Sequence, residues 1–242
     1  MSRFLISLAT YNERENLPLI TKEIFEYAPD VDILVVDDNS PDGTGDWVAE
    51  QMKSESRLKL LRRAGKLGLG TATLAAMNYA IENGYDYLLN MDADLSHPPK
   101  YIPSIREKAE EGGSDGNAGY DVVIGSRYVP GGGVEGWPFY RRFMSRGINF
   151  YAKLFLGLKT KDNSGAFRCY RVELLKKLDQ SAIVSKGYSF QEEVLYRLRK
   201  LGATFAEVPI IFVDRRFGTS KINKKETITA LWLLFRIGIF GR

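Results

Sequence analysis

The sequence predicts an α/β fold in which a mostly parallel sheet carries helices on both faces. Short apolar runs bounded by turn residues alternate with helical patterns through the first half of the chain, which is the order expected of βαβ units. A length of 242 residues suits one such domain with a sizeable core. Hydrophobic residues make up 44% of the chain and charged residues 26%. These proportions are typical of globular proteins and exclude disordered or fibrous classes.

The first half supplies five strands and four helices in alternation. The predicted strands cover residues 4–8, 33–36, 58–61, 87–91 and 122–124. The helical segments between them lie near residues 18–27, 44–53, 71–83 and 100–111. Pro18 and Pro99 stand near helix starts, where a missing N–H breaks no hydrogen bond. Sheets of this kind bind ligands at the carboxyl ends of their strands, so we expect the site there.

The alternation changes in the second half of the chain. A glycine loop at 131–133 precedes a long helix at 139–156, a strand at 167–170, helices at 172–178 and 190–201, and a last strand at 205–213. A basic loop and a terminal helix follow. No repeat or linker divides the chain. We therefore expect one domain at residues 1–224 and an amphipathic helix at residues 225–242 that is not a separate domain.

Basic residues are grouped rather than spread along the chain. The formal net charge is +4 and the pI about 9.0. One group comprises Arg141, Arg142 and Arg146, and another comprises Arg215, Arg216, Lys221, Lys224 and Lys225. Such groups suit phosphates, acidic lipid heads or nucleic acid, although a solvated basic face is an equal alternative. The longest apolar stretch, 230–240, is too short to cross a bilayer, so it packs on the core or lies on a membrane surface.

The cysteine content and the N-terminus favour a cytoplasmic location. Cys169 is the one cysteine, which excludes an intrachain disulfide and is compatible with a reducing compartment. Its apolar neighbours predict a buried structural thiol. The N-terminal residues enter a predicted strand without a signal-peptide pattern.

Polar and acidic residues follow three of the predicted strands. The first strand leads into TYNEREN (residues 10–16), the second into DDNSPDG (37–43) and the fourth into DAD (92–94). Each segment alone is ordinary turn chemistry. Because the carboxyl ends of parallel strands share one edge of a sheet, together they predict a site.

Asp92 and Asp94 are candidate ligands of Mg²⁺ or Mn²⁺. On an extended backbone, side chains two residues apart share a face, so both carboxylates could reach one cation. Hard oxygen ligands suit these metals, which also bind substrate phosphates. A calcium loop of the EF-hand type is excluded, because His97 and Pro103 stand where it needs glycine and glutamate. A structural turn is the alternative explanation.

These motifs together resemble family 2 glycosyltransferases of the GT-A fold, and within them the dolichol-phosphate (polyprenol-phosphate) mannose synthases. The resemblance runs nearly end to end. It rests on TYNERENLP (10–18), DDNSPDGT (37–44), KLGLGTA (66–72), MDADLSH (91–97), GSRY (125–128), SRG (145–147), SKGY (185–188), EVP (207–209) and VDRRFGTSK (213–221). One departure is Ala9, which stands where many members of the family carry proline.

The resemblance implies a Rossmann-like nucleotide-diphospho-sugar transferase that moves mannose from GDP-mannose to a polyprenyl phosphate with inversion. It implies a nucleotide-sugar site formed by Ala9, Tyr11, Glu13, Val36, Asp38, Asp92, Ala93, Asp94, Arg127, Arg215 and Lys221. Asp92 and Asp94 would hold the metal and, with Arg127, form the catalytic set. Arg127 and Arg146 would bind the acceptor phosphate. The loop with Arg215 and Lys221 contains Gly218 and could close over the donor.

The acceptor explains why the chain has few candidate bases. A phosphate monoester has a second pKa near 6, so at neutral pH it is already a nucleophile. We expect His97, the one histidine, at the surface or in a helix cap. Glu192 and Glu193 begin a helix, where its dipole favours acids, and could also face the sugar.

A lipid acceptor implies peripheral attachment to the cytoplasmic face of a membrane. The predicted helix at 139–156 mixes aromatic and basic residues as interfacial helices do, and the terminal helix is a second candidate. A small membrane partner subunit is also possible.

Other function classes fit less well. A dinucleotide-binding enzyme needs Gly-x-Gly-x-x-Gly after its first strand, where this chain has TYNE, and a Walker A motif is absent. Nucleic acid would be repelled by the acidic edge, so no nucleic-acid partner is expected. A catalytically inactive scaffold would not need both aspartates. Within the family, transfer of glucose or another sugar from a UDP-sugar is the alternative.

Overall fold

The computed structural model describes residues 2–111, 119–185, 187, 189–214 and 224–241. Its strands are β1 (Phe4–Thr10), β2 (Asp32–Asp37), β3 (Leu58–Arg62), β4 (Tyr87–Asp92), β5 (Val122–Ser126), β6 (Gly133–Glu135), β7 (Arg168–Arg171), β8 (Phe205–Pro209) and β9 (Ile211–Val213). Its α-helices are α1 (Leu17–Tyr27), α2 (Thr44–Gln51), α3 (Leu69–Glu82), α4 (Ile102–Glu110), α5 (Phe139–Leu156), α6 (Val172–Leu175), α7 (Phe190–Lys200) and α8 (Lys224–Phe240).

Seven strands form one sheet in the order β3-β2-β1-β4-β7-β5-β8. All neighbouring pairs are parallel except those of β7, which runs antiparallel between β4 and β5. The predicted mostly parallel sheet is therefore confirmed. Because β7 runs the other way, its first residue, Arg168, lies toward the same edge as the carboxyl ends of its neighbours.

Helices cover both faces of this sheet, as predicted. On one face α1, α2 and α4 pack on the inward side chains of the strands and form one core cluster with Leu17, Ile20, Val48 and Ile105. On the other face α3, α5, α6, α7 and α8 form a second cluster. Cys169 is buried in the first cluster, as expected of a structural thiol.

The last predicted strand, 205–213, is divided in two. β8 ends at Pro209 and pairs with β5 in the main sheet, whereas β9 pairs with β6 in a separate two-stranded sheet. The N–H of Ile210 still donates to the carbonyl of Ser126 in β5 at 3.0 Å, and its own carbonyl accepts the N–H of Gly133 in β6 at 2.9 Å, so the chain changes partner at Ile210. Strand β6 was not predicted, because its glycine-rich sequence is typical of a turn and was assigned to the glycine loop. The predicted helix 172–178 is also shorter, because its last residues form tighter i→i+3 turns after α6.

The long helix α5 and the terminal helix α8 pack against each other. Gly238 of α8 allows this approach, because a Cβ there would lie 2.3 Å from the carbonyl oxygen of Phe155 on α5. Tyr151 Oη also donates to the carbonyl of Leu231 at 3.1 Å. Within the described ranges, no helix combines the length and the apolarity that a membrane crossing requires.

Replacing Gly238 by valine should weaken the contact between α5 and α8. The added side chain meets backbone rather than a flexible side chain, so the helices must separate, and overpacking of this kind costs about 1–3 kcal/mol. We expect that loss in the free energy of unfolding from urea titration. Ile239→Ala, at an exposed neighbouring position, is the matched control and should change stability by less than about 0.5 kcal/mol. Equal stability of Gly238→Val and the wild type would contradict the tight packing.

Candidate active site

The carboxyl ends of β1, β2 and β4 meet at one edge of the main sheet. In the parallel register, Ala9 of β1 lies beside Val36 of β2 and beside Asp92 of β4. Asp38 directly follows β2, and its N–H donates to the carbonyl of Thr10 at 3.0 Å. Four residues assigned to the nucleotide-sugar site are therefore neighbours in the fold. Ala9 lies within β1, so the missing proline affects a strand rather than a turn.

The loops that follow β1 and β2 are bonded to each other. Three successive backbone N–H groups of the first loop donate to side-chain oxygens of the second: Asn12 to Ser40, Glu13 to Thr44 and Arg14 to Asp42, at 3.0–3.1 Å. Asp42 in turn accepts the N–H of Thr44 at 2.9 Å. These bonds order both loops before any ligand binds.

Tyr11 and Glu13 lie in the first of these loops. Tyr11 is 37% exposed, and Lys66 Nζ lies 4.3 Å from the centroid of its ring. A carboxylate oxygen of Glu13 accepts Asn16 Nδ2 at 2.7 Å. Val36 is fully buried in the core. Tyr11 thus presents an aromatic surface at the edge, and the nucleotide contacts of all three residues stay predictions.

Asp38 is held by Arg63, which the sequence analysis did not identify. Arg63 Nε donates to Asp38 Oδ1 at 2.5 Å, and Arg63 Nη2 also contacts that oxygen. The other oxygen, Oδ2, accepts the N–H of Leu67 at 3.2 Å. Both charged side chains are only 8% exposed. The carboxylate is therefore fixed in place at the site's edge.

Asp92, Ala93 and Asp94 form the turn after β4. The strand ends at Asp92, and Leu95 adopts a left-handed conformation with φ 63°. The premise that Asp92 and Asp94 share a face of one strand is therefore wrong, because the strand ends between them. Asp94 is buried, and its Oδ1 accepts the N–H of Ser96 at 3.1 Å and its hydroxyl at 2.5 Å.

His97 is buried and not at the surface or in a helix cap, so that expectation was wrong. The N–H of Asp92 donates to His97 Nδ1 at 3.1 Å. The rings of Phe167 and Phe212 pack on the imidazole at 5.2 Å. Burial lowers the pKa of His97, and an Nδ1 that accepts an N–H carries no proton. The neutral imidazole thus holds in place the turn formed by Asp92, Ala93 and Asp94, which we call the acidic turn.

The oxygen donors of this turn fit a small divalent cation that its substrate helps to hold. Asp92 and Asp94 offer carboxylates, and the Asp92 side chain is 33% exposed. Across the described residues, no group of three or more His, Cys, Asp or Glu side chains could enclose a metal. Mg²⁺ is commonly bound by one or two carboxylates together with substrate phosphates. Two carboxylates therefore fit a cation completed by a diphosphate and water.

Arg127 is buried in an ion pair with Asp162. Its Nε and Nη2 donate to the two carboxylate oxygens at 2.7 Å each, and its backbone N–H adds a third bond at 3.0 Å. Nη2 also donates to Ser164 Oγ at 2.9 Å. Burial alone would raise the pKa of Asp162, but the charge and hydrogen bonds of Arg127 lower it. Asp162 fixes the orientation of Arg127, whose contact with phosphate stays a prediction.

Arg146 is exposed on α5. A hydrogen bond of 2.6 Å from Tyr128 Oη to Ser145 Oγ links the residue after Arg127 to the residue before Arg146. The two arginines predicted to share the acceptor phosphate are thus carried by segments in direct contact.

Glu192 and Glu193 lie in the first turn of α7, and both are buried. Glu193 accepts the N–H groups of Val184 and Ser185 and pairs with Arg197. Among the described residues Glu192 Oε2 has no hydrogen-bond partner, and burial raises the pKa of Glu192 to about 7. Glu193 is therefore structural, whereas Glu192 is a buried carboxyl that protonates near neutral pH.

Arg215 and Lys221 lie outside the described residues, as do Arg216 and Gly218. The chain leading to them is described. The N–H of Val213 donates to the carbonyl of Ser96 at 3.1 Å. Arg141 Nη1 lies 3.0 Å from an oxygen of Asp214. Asp214 thus follows a residue that is bonded to Ser96, two positions after Asp94.

Arg63 and Asp162 are charged residues of this site that sequence reasoning missed. Arg63 follows the predicted strand 58–61, so it lies at the same edge of the sheet. Its position after that strand could have identified it from the sequence. Asp162 lies in a polar stretch before β7, and nothing local distinguishes it from a turn residue.

The sequence is similar to those of known proteins. A sequence model described as "Glycosyl transferase family 2" matches residues 6–179. The polyprenol monophosphomannose synthase of Mycolicibacterium smegmatis is 42% identical over 241 residues, which covers 99% of this chain and 88% of that protein. The undecaprenyl-phosphate mannosyltransferase of Micrococcus luteus is 42% identical over 221 residues, covering 91% of this chain and 88% of that protein.

Two solved structures share the fold. Glucosyl-3-phosphoglycerate synthase from Mycobacterium tuberculosis, in complex with Mn²⁺, UDP and glucosyl-3-phosphoglycerate, superposes with a TM-score of 0.65 at 16% identity, covering 99% of this chain and 79% of that one. A mannosyltransferase from Pyrobaculum calidifontis, in complex with GDP-Man and Mn²⁺, superposes with a TM-score of 0.57 at 16% identity, covering 88% and 56%.

Replacing Glu192 by glutamine should remove a pH dependence of stability. The pKa of Glu192 is about 7 in the folded chain against an ordinary value of 4.5. Between these values the folded chain holds the proton that the unfolded chain releases, so ionisation of Glu192 destabilises the wild type as pH rises through this window. The stability of Glu192→Gln relative to wild type should therefore grow by on the order of 3 kcal/mol from pH 4.5 to 7.

Urea unfolding of both proteins at several pH values measures this difference. Glu50→Gln, at an exposed side chain, is the control and should follow the wild type throughout. A difference between Glu192→Gln and wild type that does not change with pH would show that Glu192 is not protonated in the fold.

Proposed function

The chain belongs to glycosyl transferase family 2, and we propose that it transfers mannose from GDP-mannose to the phosphate of a polyprenyl lipid. The GT-A fold expected from the sequence is confirmed. The observation that carries the proposal is the edge at which the loops of β1 and β2 meet the acidic turn after β4. Relatives named for mannosyl transfer to polyprenyl phosphates, at 42% identity, support the substrate class.

The donor is assigned to the edge around Ala9. Tyr11, Glu13, Val36 and Asp38 surround the nucleoside, and Asp92, Ala93 and Asp94 face the diphosphate. Arg215 and Lys221, outside the described residues, are proposed to neutralise its charge. The bond between Val213 and Ser96 supports this, because it starts their loop beside the acidic turn.

Asp92 and Asp94 are proposed to hold Mg²⁺ or Mn²⁺ together with the donor diphosphate. When bound, such a cation stabilises the negative charge that develops on the departing nucleotide. The chain's own part is to hold in place the turn that carries the two carboxylates. The hydrogen bonds from Ser96 to Asp94 and from the Asp92 N–H to His97 do this. Mn²⁺ in two structures of the same fold supports a divalent cation.

The acceptor needs positioning more than activation. Its phosphate oxygen is a ready nucleophile at neutral pH, attacks the anomeric carbon, and displaces the nucleotide diphosphate with inversion from α to β. Arg127 and Arg146 are proposed to bind this phosphate. Because Asp162 fixes Arg127, its charge is oriented before the acceptor arrives, which lowers the reorganisation needed during the reaction. Transfer of glucose or another sugar from a UDP-sugar is the second candidate.

A transfer assay with GDP-mannose and UDP-glucose against a polyprenyl phosphate, with Mg²⁺, with Mn²⁺ and with EDTA, tests the proposal. We expect β-linked mannosyl product from GDP-mannose, at least about tenfold less from UDP-glucose, and none in EDTA. Asp94→Asn keeps the size of the side chain but removes its charge. It should lower kcat by about 10²–10³ while the protein stays folded, because several kcal/mol of charge stabilisation are lost.

Asp46→Asn is the matched control, because Asp46 is an exposed acid paired with Arg62 at 2.7 Å. It should keep full activity. Faster transfer from UDP-glucose would make the second candidate correct. Unchanged rates in EDTA or in Asp94→Asn would overturn the metal assignment.

Helices α5 and α8 are proposed to place the enzyme on the cytoplasmic face of a membrane. On α5, Phe139, Phe143, Phe150 and Leu154 form one stripe, because they lie three to four residues apart or at multiples of that spacing. Their side chains are 63–83% exposed. Arg146 lies within the same stripe and is exposed. An exposed aromatic surface that includes a positively charged side chain is suited to binding a membrane surface with anionic lipid head groups.

Two substitutions on this stripe should release the protein from lipid. Phe143→Ser with Phe150→Ser should lower partition onto vesicles of phosphatidylcholine and phosphatidylglycerol by at least about tenfold, since burying one phenylalanine contributes about 1.5–3 kcal/mol. Leu19→Ser with Leu201→Ser, at exposed apolar positions elsewhere, is the control and should bind as the wild type does. If the wild type does not bind the vesicles, the result would instead favour the hypothesis that a membrane partner subunit binds this surface.

A further inference from the structure

Arg63 contacts three separate segments of the chain at the donor edge. Besides Asp38 after β2, its guanidinium donates to Thr71 Oγ1 of α3 at 2.7 Å and to the carbonyl of Gly68 at 3.2 Å. Its own N–H donates to the carbonyl of Asp37 at 2.8 Å. Arg63 therefore joins the end of β2 to the loop between β3 and α3.

The two oxygens of Asp38 are used unequally. Oδ1 accepts both Nε and Nη2 of Arg63. Oδ2 accepts one bond, from the N–H of Leu67 at 3.2 Å. A carboxylate has about four acceptor positions, two on each oxygen. Against the described part of the chain, Oδ1 is thus satisfied, whereas Oδ2 can accept one further N–H.

An aromatic surface is held in the same place. The loop that bonds to Asp38 through Leu67 also carries Lys66, whose Nζ lies 4.3 Å from the centroid of the Tyr11 ring. Tyr11 is partly exposed and follows Thr10, to which Asp38 is bonded. A fixed carboxylate oxygen beside an exposed ring suits a planar heterocycle that stacks on the ring and donates an N–H at its edge.

We propose that Arg63 is a positioning residue that fixes the Asp38 carboxylate so that Oδ2 accepts a ring N–H of the donor nucleobase. This role deepens the proposed function and rests on it. Arg63 then determines nucleobase selectivity without touching the donor. Two of its nitrogens hold Oδ1 while the N–H of Leu67 holds Oδ2, and these contacts together keep the carboxylate from rotating. The charge of Arg63 also compensates a carboxylate that is nearly removed from water.

The chemistry of the bases sets the expected selectivity. Guanine has a ring N–H at N1 and uracil has one at N3, so each can donate to Oδ2. Adenine and cytosine have a lone pair at the corresponding ring nitrogen, which a carboxylate repels. A hydrogen bond to a charged group contributes about tenfold or more in affinity. The site should therefore accept guanine or uracil nucleotides and discriminate against adenine and cytosine nucleotides.

Calorimetric titration of GDP, UDP, ADP, CDP and pyrophosphate, all with Mn²⁺, tests this role in wild type, Arg63→Gln and Arg62→Gln. Arg62 is the matched control, because it is the adjacent arginine and pairs with exposed Asp46. Wild type and Arg62→Gln should bind GDP or UDP about tenfold or more tightly than ADP and CDP. Arg63→Gln should reduce this preference to less than about threefold and leave pyrophosphate binding within about twofold of wild type.

Pyrophosphate, which has no base, distinguishes a loss of base recognition from a general loss of binding at the site. Selectivity retained in Arg63→Gln would overturn the role, and so would an equal loss for pyrophosphate and GDP. If Arg63→Gln does not fold, Arg63→Lys carries the test. It keeps the charge but not the two-pronged contact, and should show intermediate selectivity. A wild-type preference for UDP over GDP would overturn the proposed donor alone, whereas no nucleotide binding by wild type would overturn both.

Discussion

Buried carboxylates at the sheet edge impose the constraint on which this site depends. A charge removed from water must be paired, and each pair here joins two distant parts of the chain or two turns of one helix. Asp38 is held by Arg63 and Asp162 by Arg127, while Glu193 is held by Arg197. Such pairs add little net stability, but they fix orientation. The site is therefore ordered by its own charges before the donor or acceptor binds.

This order links the two substrates of the proposed reaction. The segment with Arg127 contacts α5 through the bond from Tyr128 to Ser145, and α5 carries both Arg146 and the exposed aromatic stripe. A lipid phosphate delivered along that stripe would meet Arg127, which its buried pair with Asp162 has already positioned. In the proposed reaction, membrane binding by α5 and acceptor binding by Arg127 thus depend on two segments that are in direct contact.

Much of the fold could be predicted because periodicity is a local signal. The alternation of apolar runs and helical patterns identified the strands of the parallel sheet, and the bounds of α5 matched the predicted 139–156. Predictions failed where the partner of a segment is remote. The 205–213 segment is divided after Pro209 because its first half pairs with β5 and its second half with β6, two strands from other parts of the chain. His97 is buried because Phe167 and Phe212 enclose it from other parts of the chain.

The sequence by itself determined the sheet, its helices and the family, because strand-end motifs such as TYNE, DDNSPDG and DAD are read within a few residues. It also determined that the acidic turn belongs at one edge, since parallel strands end together. Only the tertiary structure decided which arginine holds which carboxylate, that Asp94 leaves the strand, and that Glu192 is buried. The pairs of Arg63 with Asp38 and of Arg127 with Asp162 join residues 25 and 35 positions apart, and no local pattern encodes such contacts.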